Sequence, residues 1–174
     1  MVLMPGMALY LGPGASAEAH AHRAVQLVYA CDGPVSLTLS PPGAKRLSLR
    51  VRAALVPAYL KHALDATGRT LVLLLIEPEG RRGAAMQQLA AQHLGRELAA
   101  DLADLELPIS DATTQSLVEL AERIVHTLAR QSLQGQPLSA VVRRAIEAID
   151  QSLDSVPRLG TVAASAGLSP GRFS

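Results

Sequence analysis

Short apolar segments separated by turns fill the first half of the chain, and this pattern limits the fold more than any other feature. Segments of four to seven residues, rich in valine, leucine and alanine, have the length of strands. They span residues 8–11, 25–31, 35–39, 47–51, 53–56 and 70–76. Glycine and proline residues between them are typical of turns. Strands this short and closely spaced predict an antiparallel barrel or sandwich, with a core that neighbouring helices complete.

After Pro78 the apolar residues recur with the period of a helix instead. One predicted helix ends near Gly95, a residue suited to a helix C-terminus, and its apolar face carries Met86, Leu89, Ala90 and His93. A second predicted helix is capped by Ser110 or Asp111, and its apolar face carries Leu117, Leu120, Ala121, Ile124 and Leu128. Both helices are amphipathic, so each needs a partner to cover its apolar stripe.

The best linker in the sequence is Gln-Gly-Gln-Pro-Leu at residues 134–138. Beyond it, Ser139 is suited to cap another amphipathic helix. The sequence therefore predicts one domain over residues 1–133 and a second over residues 139–174.

Composition and charge exclude several classes of protein. The net charge of +1 argues against a general polyanion binder, and the 2% aromatic content argues against a stacking platform for single strands. Cys31 is the only cysteine, so no disulfide forms within the chain. The longest apolar run, residues 71–76, is too short to cross a bilayer, and the first residues lack the features of a signal peptide. We expect a soluble cytoplasmic protein with no membrane partner.

Two histidines separated by one residue lie in a segment framed by glycines. From Gly14 to Gly33 the spacing is Gly-x5-His-x-His-x3-Gln-x6-Gly, with the polar positions at His20, His22 and Gln26. If these three residues lie on one strand, their equal parity places them on the same face. They would then point together into a barrel.

A second strand would bring His62 to the same place and complete a set of imidazoles. Tyr29 has the opposite parity to Gln26 and is predicted on the other face of the strand. Glu77 and Glu79 follow the last strand, where charged residues are usually solvated, and no acid/base partner is identifiable beside them. We therefore expect no catalytic residues.

The histidine segment resembles the first motif of the cupins, in which a glutamate occupies the position of Gln26. Residues 57–62 are similar to the second cupin motif, with Tyr59 where the family prefers glycine. The resemblance implies effector-binding roles for five residues: His20, His22, Gln26, Tyr59 and His62. Neutral imidazoles suit Zn, Fe, Mn or Ni, but loss of the carboxylate removes a ligand and its charge. The prediction is an effector pocket with no metal or other cofactor.

The last sixteen residues have the pattern of a helix-turn-helix. Ala163 is the small residue required where the helices cross, and Gly167 suits the turn between them. Ser169 and Pro170 form a cap and first-turn pair that begins a new helix.

This region resembles the DNA-binding domain of the AraC/XylS family over about thirty-five residues, through Leu-Ser-Pro-Gly-Arg-Phe at 168–173. The resemblance implies a small-effector sensor that forms a homodimer through helices near residues 86–94 and 117–128. It also implies contacts to double-stranded DNA by Ser169, Pro170, Gly171 and Arg172 in the full-length form. Only five residues of the recognition helix are present before the chain ends. Since so short a helix is unstable, we expect weak or no DNA binding by this chain alone.

The predicted class is α+β: a small cupin-like antiparallel β-barrel with packed helices, followed by an all-α partial helix-turn-helix. The leading hypothesis is an AraC-type transcription regulator that senses a small effector and is not an enzyme. Two alternatives stay open. One is a metal-dependent cupin enzyme, and the other is a truncated partner that dimerises with full-length regulators and blocks their DNA binding.

Overall fold

The computed structural model describes residues 1–105, 107 and 112–134. Within these residues the chain forms nine strands, two α-helices and one short 3-10 helix. The strands are β1 (Val2–Met4), β2 (Met7–Pro13), β3 (Ser16–His20), β4 (Val25–Ala30), β5 (Val35–Ser40), β6 (Leu47–Val51), β7 (Ala53–Val56), β8 (Lys61–Asp65) and β9 (Thr70–Ile76). The helices are α1 (Arg81–Gln92), the 3-10 helix (Ala100–Leu102) and α2 (Thr114–Gln134).

Several predictions from the sequence lie outside the described residues. They are the helix cap at Ser110 or Asp111, the helix that Ser139 begins, the helix-turn-helix, and the DNA contacts of Ser169, Pro170, Gly171 and Arg172. Helix α2 continues to Gln134, the first residue of the predicted linker.

All strand pairs are antiparallel and belong to two sheets. One sheet has the order β1-β2-β9-β4-β7 and the other has the order β3-β8-β5-β6. Apart from β1, these two orders are those of a double-sheet jelly roll, the architecture of the cupins. The prediction of antiparallel, cupin-like β-structure with packed helices is thereby confirmed at the level of architecture. The strands form two sheets, so of the predicted barrel or sandwich the structure has the sandwich.

The five-stranded sheet is the middle layer of the domain. Its face toward the four-stranded sheet contributes to one core, which includes Val28, Ala30, Leu37, Leu39 and Leu64. Its opposite face packs against the helices in a second core, which includes Leu27, Leu74, Met86, Leu120 and Ile124. Because both faces are covered, β4 is buried at every residue rather than at alternate ones.

The helices complete the core of the sheet, as predicted. The apolar residues of α2 that the sequence pattern selects are buried within this same chain: Leu117, Leu120, Ala121, Ile124 and Leu128. The need to cover this stripe therefore gives no physical argument for a dimer, which stays a prediction from the family resemblance. Among the described residues, none of the helices combines the length and apolar character needed to span a bilayer.

Candidate metal centre

Three imidazoles from different parts of the jelly roll meet in one cluster. His20 ends β3, His62 lies on β8, and His22 lies in the connection between β3 and β4. The ring centroids are 4.5 Å apart for His20 and His62, 5.0 Å for His22 and His62, and 5.6 Å for His20 and His22. One nitrogen from each ring lies within 4.8 Å of the other two. The cluster therefore has the composition and spacing of a metal site.

The single strand on which the same-face hypothesis for His20, His22 and Gln26 depended does not form. His20 and Gln26 do not share a strand, because the chain leaves β3 in one sheet and enters β4 in the other. A bulge in β3 also shifts the register, so that Ala17 pairs with Leu64 and His20 pairs with His62. Since paired residues share a face, the bulge turns His20 to the side of His62, as bulges beside functional sites often do.

Backbone carbonyls orient two of the three rings. Nδ1 of His20 lies 2.7 Å from the carbonyl oxygen of Glu18, and Nδ1 of His62 lies 2.8 Å from that of Leu60. A carbonyl oxygen only accepts, so each of these Nδ1 atoms donates and carries the ring proton. In the neutral imidazole this leaves a lone pair on Nε2 of both rings.

Gln26 orients the third ring. Its side-chain oxygen lies 2.9 Å from Nε2 of His22 and accepts a hydrogen bond from that nitrogen. In the neutral imidazole this leaves the lone pair on Nδ1 of His22. Gln26 is 6% exposed and has the same strand parity as Val28 and Ala30, so it faces the core between the sheets. It therefore serves as an outer hydrogen-bond partner of the imidazole cluster.

Two of the three lone pairs are on buried atoms. Nδ1 of His22 and Nε2 of His62 are buried and have no hydrogen-bond partner among the described residues. A buried polar atom without a partner is costly, and a bound ion removes that cost by taking up the lone pair. The nitrogen atoms that lack a partner are the ones left free to bind a ligand.

The environment of His62 favours the neutral imidazole that metal binding requires. Its side chain is 1% exposed. Burial lowers the pKa of His62 below its ordinary value, and the neighbouring His20 and His22 lower it further, although its hydrogen bond to Leu60 acts in the opposite direction. His20 is exposed, so the cluster is open to solvent on that side.

Tyr59, also predicted in the site, supports the cluster through its backbone. Its amide donates to the carbonyl oxygen of His22 at 2.8 Å, while the residue itself is 66% exposed. Its φ of 64° lies in the left-handed region, which explains why glycine suits this position. The preceding amide, that of Ala58, donates to Oε1 of Gln87 on α1 at 2.8 Å. The sequence did not predict this hydrogen bond between the turn at Ala58 and Tyr59 and helix α1.

The other residues singled out in the sequence lie elsewhere. Tyr29 packs in the helix-side core, as its parity predicts. Glu79 forms an exposed ion pair with Arg23 at 2.8 Å, and Arg82 forms one with Glu122 at 2.6 Å. Within the part of the chain that the structure describes, no carboxylate joins the three histidines.

Comparisons with known proteins add only partial likenesses. No protein-family model matches the chain, and no curated protein matches it. Protein NMB1881 from Neisseria meningitidis is 19% identical over 40% of this chain and 71% of that one, with a TM-score of 0.30. The conserved SPY1581 protein from Streptococcus pyogenes is 17% identical over 46% of this chain and 82% of that one, with a TM-score of 0.32. Oxalate decarboxylase from Bacillus subtilis is 16% identical over 58% of this chain and 31% of that one, with a TM-score of 0.37. Because these TM-scores are low, the jelly-roll assignment rests on strand order and register.

Proposed function

We propose that this chain binds a divalent transition-metal ion through Nε2 of His20, Nδ1 of His22 and Nε2 of His62. The observation that carries the proposal is a cluster in which one nitrogen of each ring lies within 4.8 Å of the others, while one nitrogen of each ring is hydrogen-bonded to an acceptor and leaves the other free. Metal-binding histidines almost always have such an outer partner, which fixes the tautomer. This proposal replaces the metal-free pocket expected from the loss of the glutamate.

The three imidazole ligands determine which metal ions the site prefers and which chemistry a bound ion would supply. Neutral imidazole suits Zn, Fe, Ni and Cu better than the hard cations Mg and Ca. A site with three protein ligands keeps a position open for an exogenous ligand, which a bound metal ion would polarise as a Lewis acid. Because no carboxylate of the described residues lies in the cluster to move a proton, binding an effector is favoured over turnover.

We further propose that this site is the sensor of an AraC/XylS-type transcription regulator. Support comes from the resemblance at residues 168–173 and from its position after a jelly-roll domain, in the order sensor and then DNA-binding domain. In this proposal the ligand at the histidines shifts a homodimer between arrangements that differ in affinity for double-stranded DNA. Such a role needs no catalytic residue.

A chimera tests the sensing role. Residues 1–138 of this chain replace the sensing domain of an AraC-type activator whose promoter drives a reporter, and Zn²⁺ supply in the medium is varied. We expect reporter expression to change at least about fivefold with Zn²⁺, and His62→Ala to remove the response at equal protein level. Expression that is independent of Zn²⁺ in the folded wild-type chimera would contradict the proposal.

The metal-dependent cupin enzyme stays as a second candidate, because three imidazoles with an open position also occur in catalytic sites. Constant reporter expression together with one tightly bound metal ion per chain would favour this alternative.

A further inference from the structure

The charge of the histidine cluster indicates which class of ligand its open position takes. We infer that the centre binds a small anionic oxygen donor, of which a carboxylate is the simplest example. This inference rests on the proposed metal site and adds the chemistry of its exogenous ligand.

The protein side of the site contributes no negative charge. A ring that binds a metal ion through one nitrogen keeps its proton on the other, the nitrogen that donates to Glu18, Gln26 or Leu60, and is therefore neutral. Gln26, the buried side chain that contacts the cluster, is also neutral. No carboxylate of residues 1–105, 107 or 112–134 belongs to the cluster. A divalent ion held here keeps its full charge of about +2 until an exogenous ligand supplies the counter-charge.

Burial makes that uncompensated charge costly. His62 is 1% exposed and Gln26 is 6% exposed, so one side of the site is screened from water. A charge removed from water is tolerated when it is paired, and the attraction between opposite charges strengthens as the local dielectric constant falls. An anion at the open position gains this attraction, whereas a neutral molecule of the same shape does not.

The cluster also offers a route for the anion. His20 is exposed while His22 is half-buried and His62 is buried, so a ligand reaches the open position from the side of His20. The rings of His22 and His62 are fixed by hydrogen bonds to Gln26 and to the carbonyl oxygen of Leu60, respectively.

Because Gln26 is neutral, it leaves the charge of the ion to be compensated by an exogenous anion. Gln26→Glu keeps the size of the side chain and an oxygen that accepts from His22, but adds one negative charge beside the ion. The same substitution should therefore strengthen metal binding and weaken anion binding. A role limited to packing or to orienting His22 predicts no such opposite pair of changes.

The test uses the full chain loaded with Co²⁺, whose visible absorption reports changes in its ligands. Acetate is titrated into the Co²⁺ protein, and acetamide serves as the neutral molecule of matched shape. We expect saturable spectral changes with acetate and none with acetamide at equal concentration. In Gln26→Glu we expect Co²⁺ affinity to rise and acetate affinity to fall, each by about tenfold or more. Gln88→Glu adds the same charge at an exposed position of α1 and should change neither affinity.

Gln26→Ala keeps the neutral charge but removes the partner of His22. It should lower Co²⁺ affinity by about 10- to 100-fold and retain acetate binding at saturating Co²⁺. If Co²⁺ binds but acetate has no effect, or if acetamide acts equally, the anion inference is wrong while the metal site stands. If Co²⁺ does not bind to the folded wild-type chain, both proposals fail.

Discussion

Replacing His62 with alanine is expected to weaken Zn²⁺ binding by at least about 100-fold. The substitution removes one of three ligands, and even the loss of an outer partner of a ligand costs about 10- to 100-fold. His62 is the most deeply buried of the three rings, and its free nitrogen has no partner among the described residues. The measurement is a competition titration of the purified chain with Zn²⁺ and a chelator of known affinity at pH 7.5.

Two further variants separate loss of a ligand from loss of the fold. His20→Ala removes an exposed ligand at the end of β3 and should weaken Zn²⁺ binding to a similar extent without opening a cavity. His126→Ala removes an exposed histidine of α2 that lies outside the cluster and should leave the affinity unchanged. Equal affinities for wild type, His62→Ala and His20→Ala would show that Zn²⁺ binds elsewhere.

Gly83→Ala is expected to lower the free energy of unfolding by about 3 kcal/mol, near the upper end of the usual cost of overpacking. Gly83 lies in the first turn of α1, where an added Cβ would overlap the carbonyl oxygen of Glu77. The same Cβ would lie 2.7 Å from the carbonyl carbon of Glu77 and 2.8 Å from Cα of Pro78. These neighbours are backbone atoms, so α1 must move, and its buried residues Met86 and Leu89 would lose contacts. Urea denaturation of the two proteins gives the difference.

Gly80 supplies the matched control, because it precedes the same helix. An added Cβ at Gly80 meets no atom within 4 Å, and its φ of −76° suits any residue. Gly80→Ala should therefore change the free energy of unfolding by less than about 1 kcal/mol, the size of a modest capping effect. Similar destabilisation by both substitutions would refute the close approach of α1 to the 77–78 backbone.

Most of the apolar strands were predictable from the sequence, whereas the three-residue β1 and the polar β3 were not. The segments predicted at 47–51, 53–56 and 70–76 coincide with β6, β7 and β9, because valine and leucine dominate them and turns bound them. Strands β1 and β3 were absent from the predicted segments, and β8 was expected only as a second strand that carries His62, without bounds. β3 is Ser-Ala-Glu-Ala-His and mostly exposed, and β8 buries two of its five residues. Their pairing in the sheets, rather than their own composition, makes them strands.

The residues of the candidate site were also found from the sequence, but their arrangement was not. Spacing selected His20, His22, Gln26 and His62, which the fold brings together. Residues of equal parity share a face only along one continuous strand. Between His20 and Gln26 the chain changes sheet, and β3 contains a bulge. The expectation of a metal-free pocket followed from residue types alone. Which ring nitrogen is free depends on the backbone carbonyls of Glu18 and Leu60, and no pattern in the sequence reveals those contacts.

The most direct measurement of the central claim is the X-ray absorption spectrum of the full chain loaded with one equivalent of Zn²⁺. The histidine cluster predicts scattering from three imidazole rings, with nitrogen at about 2.0–2.1 Å from the metal, and one oxygen donor in the remaining position. His62→Ala should reduce the imidazole contribution at the same Zn²⁺ loading. A wild-type spectrum with fewer than two imidazoles, or one dominated by sulfur from Cys31, would contradict a metal centre at His20, His22 and His62.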